Sequence, residues 1–204
     1  MDEPLKAAWQ AFFEGNLDLA AKLEGELTGE SFSSLHLRAY LAVEAKDFSR
    51  AAKTLQTYLA RAQAQSDKEN EHVAYHQLGY VARSAGDFLQ ALEWIEKEAA
   101  FLARHFPEDH YRQSVNLYEQ GYIKLKLGQT NQAEKLLQQA LTYALETDDL
   151  INQACAYRGL GEMNQAIGKG QAARCNFAAA IRLFEQAGDT IGQAEAEKLL
   201  ASCV

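Results

Sequence analysis

The sequence predicts an all-α protein: a single array of paired antiparallel helices over residues 1–204, closed by a C-terminal capping helix. Three observations predict it. Ala and Leu supply 61 of the 204 residues, whereas Val, Ile and Thr supply 18. Unbranched side chains lose little rotamer freedom in a helix, and β-branched ones lose more. Second, glycines recur on a fixed beat. Gly79, Gly121 and Gly161 are 42 and then 40 residues apart, and Gly86, Gly128 and Gly168 repeat that spacing seven residues later. Third, Asp67, Asp109, Asp149 and Asp189 are separated by 42, 40 and 40 residues. A period of this length marks stacked supersecondary units that bury their apolar faces on one another.

The beats assign each element. An aspartate before an apolar-periodic run accepts hydrogen bonds from the free N–H groups of the first turn, so each Asp starts a helix, A. The glycine at 86, 128 or 168 ends it, because glycine tolerates the left-handed conformation of a helix C-terminus. A second helix, B, then runs to the next Asp and carries Ala91, Ala133 or Ala173 five residues after that glycine. Repeat one is expected near 3–27, with helices near 3–14 and 17–27. Repeat two covers 32–65, with helices near 32–45 and 48–65. Repeat three covers 68–104, split at Gly86-Asp87. Repeats four and five cover 110–146 and 150–187. Asp189-Thr-Ile-Gly-Gln-Ala echoes Asp149-Leu-Ile-Asn-Gln-Ala, so 190–202 is expected to be the capping helix. The mid-helix glycines cost about 1 kcal/mol each relative to Ala, a cost that a close helix crossing would offset. Leu78, Leu160, Ile95, Leu137 and Phe177 are expected around that crossing, with the B-helix Ala as the matching small surface.

This pattern resembles the tetratricopeptide repeat. The residues that carry the likeness are Tyr75, Leu78-Gly79, Gly86-Asp87, Ala91 and Ile95, and again Tyr157, Leu160-Gly161, Gly168, Ala173, Phe177 and Ala180. The period of 40–42 looks like the long variant familiar from kinesin light chains and bacterial peptide-sensing regulators. The resemblance implies a right-handed superhelical solenoid with the A helices lining a concave groove. It implies a protein–protein interaction module, regulatory or scaffolding, that binds a peptide or protein segment there.

In that register the groove positions are His36, Tyr40, His76, Tyr80, Arg83, Tyr118, Tyr122, Arg158 and Glu162, with Trp9 at the matching place in repeat one. Residues four apart share a helix face, so the pairs are His36/Tyr40, His76/Tyr80, Tyr118/Tyr122 and Arg158/Glu162. Tyr and His combine apolar area with a hydrogen-bonding tip, which suits a peptide-binding surface. The ladder is expected to form one continuous concave surface, neutral to mildly basic at its centre, that draws in a segment of some carboxylate character. The family's two-carboxylate clamp of Lys and Asn is absent: His, Tyr and a lone Arg158 stand there instead. The alternative is a structural self-association unit, a homodimer with no groove ligand.

Other chemistry is not expected. No P-loop, G-x-S-x-G or H-E-x-x-H pattern occurs, so no catalytic residues and no cofactor are assigned. His72 and His76 sit four apart, a spacing open to two metal ligands, but no third ligand falls in register and no metal is assigned. The net charge of -8 and pI near 5.2 argue against a nucleic-acid partner. No apolar run is long enough to span a membrane, and the acidic Met1-Asp2-Glu3-Pro4 start lacks an apolar leader. Cys155, Cys175 and Cys203 form no C-x-x-C pair, and reduced thiols in a cytoplasmic protein are the expectation.

Overall fold

The computed structural model describes residues 3–203; Met1, Asp2 and Val204 lie outside the described residues. Eleven α-helices and no strand occur among them: α1 Glu3–Phe13, α2 Leu17–Gly25, α3 Phe32–Glu44, α4 Phe48–Ala64, α5 Lys68–Ser84, α6 Phe88–His105, α7 His110–Lys126, α8 Thr130–Leu145, α9 Leu150–Ala166, α10 Gly170–Ala187 and α11 Thr190–Ala201. Every helix expected from the Asp, Gly and Ala beats is present. The odd-numbered helices are the A helices and the even-numbered ones the B helices. The chain divides into two compact units, 1–94 and 95–204, with α6 running from one into the other.

The capping chemistry follows the sequence beat. Asp67, Asp109, Asp149 and Asp189 each accept a hydrogen bond from the backbone N–H three residues on, at 3.1, 2.9, 2.7 and 2.9 Å. Asp47 and Asp87 do the same for α4 and α6. Ser31 and Ser34 form a reciprocal capping box at the start of α3. Gln129 and Lys169, by contrast, precede α8 and α10 with no side-chain cap. Gly86, Gly128 and Gly168 lie at φ of 75 to 80°, as a left-handed helix end requires. Lys46 and Ser66 take that conformation without being glycine, at 58° and 54°.

In the unit 1–94, Ala39, Ala42, Val43, Ala51, Leu55, Leu78 and Val81 form a buried cluster between α3, α4 and α5. Leu5, Ala8 and Leu37 extend the core toward the start of the chain. In the unit 95–204, Tyr118, Leu137, Ala140, Leu160 and Met163 pack together. Ala154, Ala180, Phe184 and Ala196 seat α11 on α9 and α10, and Phe177 with Ala173 meets Cys203 beyond it.

The mid-helix glycines mark the crossings. A Cβ on Gly121 would stand 2.6 Å from Leu137 Cγ, and one on Gly161 would stand 2.5 Å from Phe177 Cε1. The surface that meets the glycine is thus the large B-helix residue rather than Ala133 or Ala173. Those alanines are fully buried, but the close approach belongs to the side chains four residues further on. Leu137 also lies against Gly159 of the next A helix, where a Cβ would come within 2.9 Å of its Cδ2. One leucine therefore lies against glycines of two successive A helices.

Several buried polar groups in this unit are bonded across helices. Asn116 donates to the Ile95 carbonyl and to the fully buried Glu98 carboxylate, both at 2.9 Å. The Asn116 side-chain oxygen accepts from Gln120 at 2.7 Å. Ser114 donates to the Ala140 carbonyl at 2.9 Å.

Candidate functional site

In the unit 1–94 the A helices bring the expected aromatic residues together. His36 and Tyr40, one turn apart on α3, have ring centroids 4.5 Å apart. Trp9 of α1 meets both edge-on at 6.0 Å and donates its indole N–H to Ser33 Oγ at 2.8 Å. Tyr40 meets Tyr80 of α5 edge-on at 6.1 Å, and the Arg83 guanidinium lies over the Tyr80 ring at 5.5 Å. Trp9, His36, Tyr40, His76, Tyr80 and Arg83 are all half-buried. They form an aromatic face with one side toward water, not a sealed core.

Burial pushes the His36 imidazole below its usual pKa; a hydrogen bond to Gln77 opposes this and the neighbouring His76 adds to it. His36 is therefore a neutral imidazole near neutral pH. Burial also raises the Tyr40 phenol, with Tyr80 adding to the effect. Phe13, 76% exposed, stacks on Trp9 with centroids 5.4 Å apart and enlarges this face. The repeat register carried no signal for it, because it lies in the last turn of the most divergent repeat.

In the unit 95–204 the expected residues divide. Tyr122 is half-buried and stacks on Tyr118 at 6.4 Å, with the Lys126 ammonium 4.9 Å above its ring. Tyr118 itself is buried, its ring filling the space that Gly159 leaves open. Its hydroxyl accepts from Arg158 Nη2 at 3.2 Å. Burial and the nearby Glu162 and Glu119 raise the Tyr118 phenol, although Arg158 opposes them.

Arg158 does not stand open to a ligand. Nη1 donates to Glu195 of α11 at 2.9 Å, Nε lies 4.0 Å from Glu162, and the guanidinium sits over the Phe184 ring at 5.8 Å. Burial disfavours its charge, but Tyr118, Cys155 and Glu162 outweigh that, and its pKa is raised. Glu195 comes from the capping helix, whose side chains the repeat register did not assign to this face.

Among the described residues no group of three or more His, Cys, Asp or Glu side chains converges as a metal site. No helix among them is long and apolar enough to cross a membrane.

A-helix faces of this composition, on helix pairs closed by left-handed glycines, define a helical-repeat protein. Residues 112–186 match the family model described as tetratricopeptide repeat. No curated protein matches the chain in sequence. Solved structures with the same fold include BtubC (BKLC) from P. vanneervenii, at 17% identity and a TM-score of 0.67, covering 98% of this chain and 89% of that one. The nearly identical TPR-like repeats of a putative kinesin light chain from Podosopora anserina align at 18% identity and a TM-score of 0.66, covering 92% and 99%. A thermophilic TPR protein from Thermus thermophilus aligns at 20% identity and a TM-score of 0.63, covering 97% of each chain. Likeness at these identities is likeness of fold. Protein–protein interaction is what this fold generally mediates.

Proposed function

We propose that this chain is a non-enzymatic interaction module, a scaffold or regulatory protein of the cytoplasm, that holds a peptide or protein segment against the exposed faces of its A helices. The observation that carries the reading is the aromatic face of Trp9, Phe13, His36, Tyr40 and Tyr80. These rings touch one another, yet most are only half-buried and Phe13 is largely exposed. A solvent-facing aromatic cluster of this kind offers large contact area at little entropic cost. His36, neutral at physiological pH, and the Tyr40 and Tyr80 hydroxyls can exchange hydrogen bonds with a bound main chain without the expense of desolvating a charge.

The test is Tyr80→Ala combined with Tyr122→Ala. Both side chains are half-buried, so helicity should stay close to wild type while capture of the partner is lost. A partner that binds the double variant at wild-type strength would remove these faces from consideration.

A further inference from the structure

A row of exposed apolar side chains lies on the A helices of the unit 95–204, outside the positions assigned above. Tyr111, Ile151 and Ile191 are 48%, 46% and 74% exposed. Each stands two residues after a capping aspartate, so the row keeps the 40-residue period from α7 to α9 to α11. Seven residues are close to two helical turns, which places Tyr111 on the face of Tyr118 and Ile151 on the face of Arg158. The first turn of a helix favours Asp and Glu, and β-branched isoleucine gains nothing there from helix propensity. The same register position in α3 and α5 holds Ser33 and Glu69. Nothing in helix stability calls for the apolar row.

Its surroundings are acidic. The turns 104–112, 145–151 and 185–191 carry seven carboxylates and two arginines. Arg112 already bonds Asp109, and His110 Nδ1 bonds Glu146 at 2.6 Å. B-helix C-termini and A-helix N-termini meet at this edge, so their dipoles largely cancel and the side-chain charge remains. Arg158, the cation nearest the row on α9, is held by Glu195 and Glu162. An incoming carboxylate would have to displace both.

We propose that Tyr111, Ile151 and Ile191 form the specificity strip of this unit. It takes an amphipathic helical segment of a partner protein, apolar along one face and bearing Lys or Arg beside it. This rests on the reading of the A-helix faces as the binding surface and gives that ligand its chemistry. Packed helices lie about 8–10 Å apart. A guest helix repeats a side chain about every 10.5 Å over seven residues, so its apolar stripe steps along the row in register. The acidic turns then attract the basic flanks and speed encounter at low salt.

The test is selection from a displayed library of random peptides of about 16 residues, long enough for two heptads of helix, against the full chain. Binders are measured on wild type, on Ile151→Ser with Ile191→Ser, and on Tyr122→Ala, with a thermal melt of each variant. Ile191 is largely exposed, so the double serine variant should melt like wild type. Selected peptides should combine Lys or Arg with apolar residues at helical spacing. They should weaken at high salt and lose at least about tenfold in affinity on the double serine variant, a change of about 1.4 kcal/mol. Peptides rich in Asp and Glu, or basic ones that bind the double serine variant normally, would overturn the strip. If such peptides are still lost on Tyr122→Ala, the A-helix reading stands and the strip alone falls. Binders indifferent to every substitution, or a selection that yields none, would overturn both.

Discussion

Gly121→Ala should destabilise this protein, although a mid-helix glycine ordinarily welcomes the change. On an open helix face the alanine would gain about 1 kcal/mol. Here the new methyl carbon would stand 2.6 Å from Leu137 Cγ, 2.9 Å from its Cδ2 and 3.3 Å from its backbone nitrogen. Carbon atoms in contact keep about 3.5–4.0 Å. Leu137 is fully buried, and the same Cδ2 also lies against Gly159, so its movement is confined. Overpacking of this kind costs about 1–3 kcal/mol, so the net loss should be about 1 kcal/mol. That corresponds to about 2–4 °C in melting temperature for a chain of this size. Gly121→Leu has no comparable propensity gain beyond alanine's and a larger volume, and should lose more.

Thermal and denaturant melts followed by circular dichroism measure the change, and a double-mutant cycle identifies its cause. Leu137→Ala alone should cost about 2–5 kcal/mol. Combined with Gly121→Ala it should cost less than the sum of the two, by about 0.5–3 kcal/mol, because the new methyl enters vacated space. A Gly121→Ala variant that melts higher than wild type and adds independently to Leu137→Ala would refute the crossing.

The capping aspartates should matter unequally with their neighbours: Asp149→Ala should cost about 1 kcal/mol, whereas alanine at Lys169, which makes no cap bond, should leave the denaturation midpoint nearly unchanged. Asn116→Ala removes a donor from the buried Glu98 carboxylate and the Ile95 carbonyl and should cost about 1–3 kcal/mol by denaturant titration. The lowered His36 pKa fixes a sign. As pH falls through about 6.5 the unfolded chain takes up the proton first, so this contribution to stability is full above that value and lost below it. Melting temperature should therefore fall on acidification from neutrality, and His36→Gln should flatten the slope between about pH 7.5 and 5.5.

Helix boundaries were legible in the sequence because each is written by one residue with one local job. Asp149 caps α9 whatever surrounds it, and Gly128 ends the α7 turn because its φ of 75° suits glycine. Lys46 and Ser66 adopt the same conformation without the signature, so those ends were placed only by the period. The face of each A helix was equally legible, since spacing decides it. What spacing could not decide was depth. Tyr118 and Tyr122 share a face one turn apart, yet Tyr118 is buried because Gly159, a residue of the next repeat, leaves room for its ring.

Charge was less legible still. Arg158 is the one cation at its register position, and its commitment to Glu195 depends on where the capping helix docks. No intrahelical spacing encodes that. The repeat position shared by Tyr111, Ile151 and Ile191 carried no reading in the sequence, because an exposed isoleucine and a buried one read alike until the packing is known.

The central claim is that the A-helix faces, and not the outer B-helix faces, hold the partner. Photo-crosslinking tests it most directly. A benzophenone side chain is placed in turn at Tyr80 and Tyr122, and at Leu89 and Gln138, which are exposed on B helices away from the acidic turns. Adducts with the same partner from the two tyrosine positions, and none from the two B-helix positions, are the predicted result. Adducts from Leu89 or Gln138 alone would contradict the account.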